Sequence, residues 1–310
     1  MATVGGLMAD LSLPDGYSWR VADADDIQTI TDLIAAAELV DDGVIEIDPD
    51  DVAGVFERSS HRPEDCILVF DGDRPVAWAE VDKERAEADV HPEFRGRGLG
   101  TRLLAWTEAR ALEAGQVRVR QTVTDANTGA AELFRSHGYE TGHVSWILQL
   151  SYEDGEPPAV EIPPGITIRP YRDEDARTAY RVIEDAFNEW PDRQPSTFEE
   201  WAQHGIAHGS FAPQMSRLAF DGDELVGTAL AIDYASADEG WIQQVATKAT
   251  HRHRGIARAL LHEVFVAFHD QGKQKCGLST DSRTGALTLY ERVGMHVRRS
   301  YTSFRKDLTG

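Results

Sequence analysis

The chain has 310 residues, of which 41% are hydrophobic and 8% aromatic. That is enough apolar mass for two ordinary cores and excludes global disorder. A net charge of −22 repels phosphate backbones and excludes nucleic acid as an expected partner, and no long apolar run or basic-then-apolar leader points to a membrane or to secretion. The two cysteines, Cys66 and Cys276, read as reduced thiols, so the expected location is cytoplasmic; the chain is expected as a monomer or homodimer.

The chain opens with a strand pattern at Ser18–Val21 and helical periodicity over Asp25–Ala37. Cys66–Ala79 reads as a hairpin turning at Asp71-Gly72. A strand at Ala86–Val90 then leads into RGRGLG at 95–100. Leu99, Leu103 and Trp106 recur at helical spacing, and Gly115 is a stop. A further strand, a short helix in NTGAAELFRSHGY (127–139) and a final strand complete the half. The acidic, proline-rich stretch 151–165 cannot form a regular element and reads as a linker.

The whole pattern then repeats. A strand at Ile166–Arg169, a helix over Asp175–Phe187, a hairpin over Arg217–Ile232 and a strand at Trp241–Thr247 precede RHRGIA at 252–257. Ile256, Leu260, Val264 and Phe268 follow at helical spacing, with Gly272 as the stop. The glycine loops are offset by 157 positions, the FDGD turns by 150, and the pairs Arg20/Asp26 and Arg169/Asp175 by 149. Matching blocks in the same order indicate duplication, with about seven extra residues ahead of the second loop. The expected division is 1–152, a linker at 153–165, and 166–310, each half an α/β domain with a mixed sheet.

A glycine loop between strand and helix has a plain physical use. First-turn N–H groups and the helix dipole attract an anion, and glycine lets a pyrophosphate come close. The spacing is neither a P-loop nor a dinucleotide fingerprint. VHPEFRGRGLGTRLL with NTGAAELFRSHGY, and RHRGIARALL with TGALTLYERVGM, resemble the GNAT acetyltransferase superfamily, once per half. The tandem layout is similar to that of mycothiol synthase-like bacterial acetyltransferases. The resemblance implies two GNAT domains and an acetyl-CoA-dependent N-acetyltransferase. It places the pyrophosphate at Arg95, Gly96, Arg97, Gly98, Leu99 and Gly100, and at Arg252, His253, Arg254, Gly255, Ile256 and Ala257. Main-chain amides from Val90 and from Val245, Ala246 and Thr247 would meet the cofactor, after a bulge that opens a V between strands.

The family's usual acid falls on Tyr290, whereas the first half has Phe134 there, which has no proton to give. The second half is therefore expected to be catalytic and the first degenerate. Glu239, beside Asp238, is the candidate base, with Gln243 or Gln244 as alternatives that would hold a water. The expected acceptor is a cationic small-molecule amine, met by Glu184, Asp185, Glu189 and Trp190, with Asp192 and Trp201 in the same segment. His204 and His208 lack a third ligand, so no metal is expected. Protein acetylation and a non-catalytic coenzyme A sensor are the competing readings.

Overall fold

Residues alternate between two faces in the strands, and that alternation assigns helices to both sides of each sheet. The computed structural model describes residues 11–153, 155–157, 159–190, 193–207, 209–233 and 238–308. Among these no helix is long and apolar enough to cross a membrane. Two units result: unit 1 comprises Met1–Val144 with Tyr301–Gly310, and unit 2 comprises Ser145–Ser300.

Unit 1 runs β1 (Tyr17–Val21), α1 (Ile27–Asp41), α2 (Pro49–Glu57), β2 (Cys66–Asp71), β3 (Arg74–Asp82), β4 (Arg85–Val90), α3 (Leu99–Glu113), β5 (Arg118–Thr124), α4 (Thr128–Ser136) and the start of β6 (Glu140–Ser151). Unit 2 takes up the rest of β6, then β7 (Ile166–Pro170), α5 (Ala176–Phe187), α6 (Phe198–His204), β8 (Arg217–Asp221), β9 (Glu224–Asp233), β10 (Glu239–Thr247), α7 (Ile256–Asp270), β11 (Lys275–Asp281), α8 (Leu287–Arg292) and the start of β12 (His296–Asp307). β1 to β4 pair antiparallel in sequence, and so do β7 to β10. β4 meets β5, and β10 meets β11, in parallel. The expected mixed sheet is present in each unit.

The domain ends need correction. Tyr301–Asp307 pair with Arg118–Thr124 and belong to unit 1, while Ser145–Ser151 pair with Lys275–Asp281 in unit 2. The last strand of each unit thus comes from the other repeat. Burial explains why the exchange holds. Phe304 is fully buried in the unit 1 core beside Phe134, with ring centroids 5.1 Å apart, and Leu148 is fully buried in the core of unit 2. Each such burial contributes about 1.5–3 kcal/mol.

Alternating residues build the two layers of unit 2. Ala219, Val226, Ala229 and Ala231 face α7, and Leu218, Leu225 and Leu230 face α5 and Trp201. The duplicated entrance pairs are ion pairs in both units: Arg20 to Asp26 at 2.6 Å twice, and Arg169 to Asp175 at 2.7 and 2.8 Å. The stop glycines lie just past α3 and α7 in the left-handed region, Gly115 at φ 81° and Gly272 at φ 80°, a conformation that costs glycine little.

Candidate active site

In unit 2, β10 and β11 pair only from Glu239–Ile242 against Lys275–Leu278, and then part. A β-bulge interrupts the β9–β10 register between Ile242 and Gln244. Among the described residues, the edge of Gln244–Thr247 that faces away from β9 therefore has no strand partner. A cavity of about 1020 Å³ lies there, lined by Val245, Ala246 and Thr247, by Ser279–Asp281 and by Tyr290. β10 has 9 residues against 6 in β4, and β9 has 10 against 9 in β3, so part of the added length sits in these strands.

At one end of the cavity the glycine loop delivers the start of α7. Gly255 caps the helix at φ 84°, and the first intrahelical bond runs from Ala259 N–H to Gly255 O at 3.0 Å. The preceding first-turn amides are left by helix geometry to point outward. Arg252, His253, Gly255, Ile256 and Ala257 line the cavity. Arg254 is not among the lining residues, because its guanidinium pairs with Asp221 at 3.0 Å. His253 takes the left-handed conformation at φ 61°, where unit 1 has Gly96 at φ 75°.

Tyr290 is 8% exposed, and burial alone pushes its phenol up to about 12. It therefore keeps its proton at neutral pH while its ring lines the cavity. Phe187 and Trp190 form another part of the wall, stacked with centroids 4.3 Å apart. Gln243 and Gln244 line the wall at the bulge.

Four expectations about charged residues are corrected. Glu239 sits at the paired, far end of β10 and does not line the cavity. Its carboxylate accepts from Gln149 Nε2 at 3.1 Å and from Arg298 at 3.4 Å, which suits an anchor rather than a base. Glu184 is buried and accepts from Arg193 at 2.5 Å and from the Ser196 N–H at 3.2 Å, so it ties down the loop after α5. Glu189 takes both arms of Arg252 at 2.6 and 3.0 Å. Asp185 is exposed and does not line the cavity. Of the described acceptor candidates only Trp190 does: Asp185 points out from α5, Glu184 turns into the packing of that helix, and Glu189, past its end, is held by Arg252. Asp192 and His208, and the side chain of His204, lie outside the described residues.

Unit 1 lacks the same assembly. β3 and β4 pair from Ala77↔Val90 to Asp82↔Arg85 without a shift, so β4 has no bulge against β3. Its cavity, about 520 Å³, is lined by Phe134 and by several acids including Asp89, and none of Val90, Arg95, Gly96, Arg97, Gly98, Leu99 or Gly100 reaches it. Arg95 is held by Asp41 at 2.6 and 2.8 Å, and Arg97 donates to Glu93 O and lies 4.6 Å over Phe94. Asp89 accepts from the Trp78 indole at 3.0 Å, and burial pushes its carboxyl up to about 6. Asp89 and the Trp201–Gln244 contact are not legible in the sequence; Asp89 shows there only as one of two carboxylates alternating with alanines in Arg85–Val90.

The model of the acetyltransferase (GNAT) family matches residues 31–139 and again 175–295. A mycothiol acetyltransferase of Thermobispora bispora is 30% identical over 240 residues, covering 74% of this chain and 79% of that relative. One from Geodermatophilus obscurus is 29% identical over 248 residues, covering 76% and 77%. Among solved structures, a GCN5-related N-acetyltransferase from Sphaerobacter thermophilus superposes with a TM-score of 0.82 at 34% identity, covering 96% of this chain and 97% of that one. A tandem GNAT protein from the clavulanic acid biosynthesis pathway shares the fold at 15% identity, with a TM-score of 0.67 over 95% of this chain and 99% of its own.

Proposed function

The chain belongs to the GNAT acetyltransferase family and is an N-acetyltransferase, and from that premise we propose that unit 2 is its working half, acting on a primary amine of a small molecule. The observation that carries this reading is the unit 2 cavity. One space brings together a glycine-capped helix start, an unpaired strand edge behind a bulge, and a buried tyrosine. Unit 1 has Phe134, an unbulged β4 and a loop that does not reach its cavity.

Acetyl-CoA supplies the acetyl group as a thioester in this family. The residues present fit it: Gly255 holds a positive φ that a side chain would strain, and the outward first-turn amides of α7 suit its pyrophosphate. His253, Gly255, Ile256 and Ala257 would hold that part, and Val245, Ala246 and Thr247 would offer main-chain groups to the arm. The Thr247 carbonyl already accepts from Arg252 Nε at 3.3 Å, which fixes the loop to the strand. Glu189 completes this brace by clamping Arg252 from α5's end. Tyr290 keeps its proton at the phenol oxygen, ready for an atom that gains negative charge. The wall of Phe187 and Trp190 excludes water from one side.

The relatives' name, mycothiol acetyltransferase, supports a small polar acceptor and puts mycothiol-type amines in the test panel. The test measures free-thiol release from acetyl-CoA against that panel, with lysine-containing peptides alongside. Turnover of peptides alone would overturn the small-molecule reading. Absence of thiol release with every amine and peptide would leave a coenzyme A binding role.

A further inference from the structure

Gln244 lies on the cavity wall just past the bulge, and its side-chain oxygen is already committed. The Trp201 indole N–H lies 3.0 Å from Gln244 Oε1. An indole N–H can only donate, so this contact decides which end of the carboxamide is which. Trp201 is itself firmly held. It is 6% exposed, sits in the cluster with Val182, Ile183 and Leu218, and packs against the rings of Tyr180 and Phe198 at 5.7 and 5.9 Å. The Nε2 hydrogens are then the end of Gln244 left to the cavity. Unit 1 has the opposite polarity 157 positions earlier, where Glu87 lines its cavity with a carboxylate paired to Arg85.

The charges around the unit 2 cavity agree with a donor wall. Among the described residues its lining carboxylate is that of Asp281, which accepts from Arg283 Nε at 3.1 Å and Nη2 at 2.6 Å. Glu184 and Glu189 are engaged by arginines elsewhere. A second ammonium on the acceptor finds no open counter-charge among these groups, whereas an oxygen finds amide hydrogens. An acceptor without that oxygen would leave the donor unpaired, and such sites discriminate strongly for this reason.

We propose that Gln244, positioned by Trp201, determines specificity by donating hydrogen bonds to a carbonyl or carboxylate oxygen beside the reacting amine, selecting aminoacyl-type acceptors over alkylamines and diamines. The proposal rests on unit 2 being the working half.

The test uses the full chain with acetyl-CoA and four probes: alaninamide, alanine, isopropylamine and putrescine. Ratios of kcat/KM between wild type and variant cancel the differing basicity of the amines. Gln244→Met should lower kcat/KM for alaninamide or alanine about tenfold more than for isopropylamine, chiefly through KM. Whichever of the two oxygen-bearing probes shows the larger change identifies carbonyl or carboxylate. Gln244→Glu should shift preference toward putrescine. Trp201→Phe should lose part of the selectivity in the wild-type background and none further beside Gln244→Met, an outcome that a purely structural role for Trp201 would not give. Selectivity unchanged in Gln244→Met, or equal losses for all four amines, would overturn the proposal while leaving the working-half reading intact. Failure of wild type to acetylate any probe or mycothiol-type amine would overturn both.

Discussion

Tyr290→Phe separates a proton donor from a packed aromatic ring. The change removes one oxygen from a side chain 8% exposed among Leu278, Val293 and Met295, and no hydrogen bond to that oxygen is seen among the described residues. Loss of stability should therefore stay below about 1 kcal/mol. The rate cost is larger. Burial pushes the phenol up to about 12, so at pH 8 only about one molecule in 10⁴ is ionised and the donor is fully loaded. General acids contribute about 10²–10⁴-fold, or about 3–5 kcal/mol of barrier. The assay is thiol release at saturating amine and acetyl-CoA, with Tm measured on the same preparations. The predicted result is a collapse of kcat with KM and Tm nearly unchanged. The donor acts when protonated, so its alkaline limb lies near pH 12 and wild-type kcat should not fall on its account below pH 10. A folded value above the ordinary 10 also means that stability present below pH 10 is lost as pH rises from 10 to 12, so the profile is measured below pH 10. A variant with kcat within about threefold of wild type, against the expected 10²-fold or more, would refute the donor role.

Three further outcomes follow from the geometry. Gly98→Val and Gly255→Val are matched perturbations, at φ 85° and 84° with nearest proline carbons at 3.8 and 3.7 Å, so their Tm losses should agree while only Gly255→Val abolishes thiol release. Gly240→Ala would set a Cβ 2.4 Å from the Phe268 ring, and denaturant unfolding should show a loss of about 1–3 kcal/mol. Asp89→Asn keeps an acceptor for the Trp78 N–H and removes a carboxylate raised to about 6 by burial. The wild type loses stability as pH rises from 4 through 6, so Asn should raise Tm at pH 8 and not at pH 4; two pH units are worth about 3 kcal/mol at full burial, and partial exposure reduces this to about 1.

The sequence by itself determined the duplication and most elements, because these rest on local rules. Asp-Gly turns, stop glycines, a strand followed by a glycine loop, and apolar spacing of 2 or 3.6 all lie within a few residues of each other. It also determined the contrast of Tyr290 with Phe134, since equivalent positions of a repeat can be compared directly. Three matters were left to the tertiary structure. Strand exchange was invisible, since Glu140–Ser151 and His296–Asp307 each show the pattern of an edge of either sheet, and burial of Leu148 and Phe304 decides which partner is taken. The roles of acids were equally hidden. Glu184, Glu189 and Glu239 look like ligands in a polar segment, yet each faces an arginine brought from 9 to 63 positions away. The Trp201–Gln244 contact, spanning 43 positions, orients a carboxamide whose two ends no sequence distinguishes. Side-chain type is a property of the chain, but which partner neutralises a charge or turns an amide depends on elements far apart in sequence meeting in space.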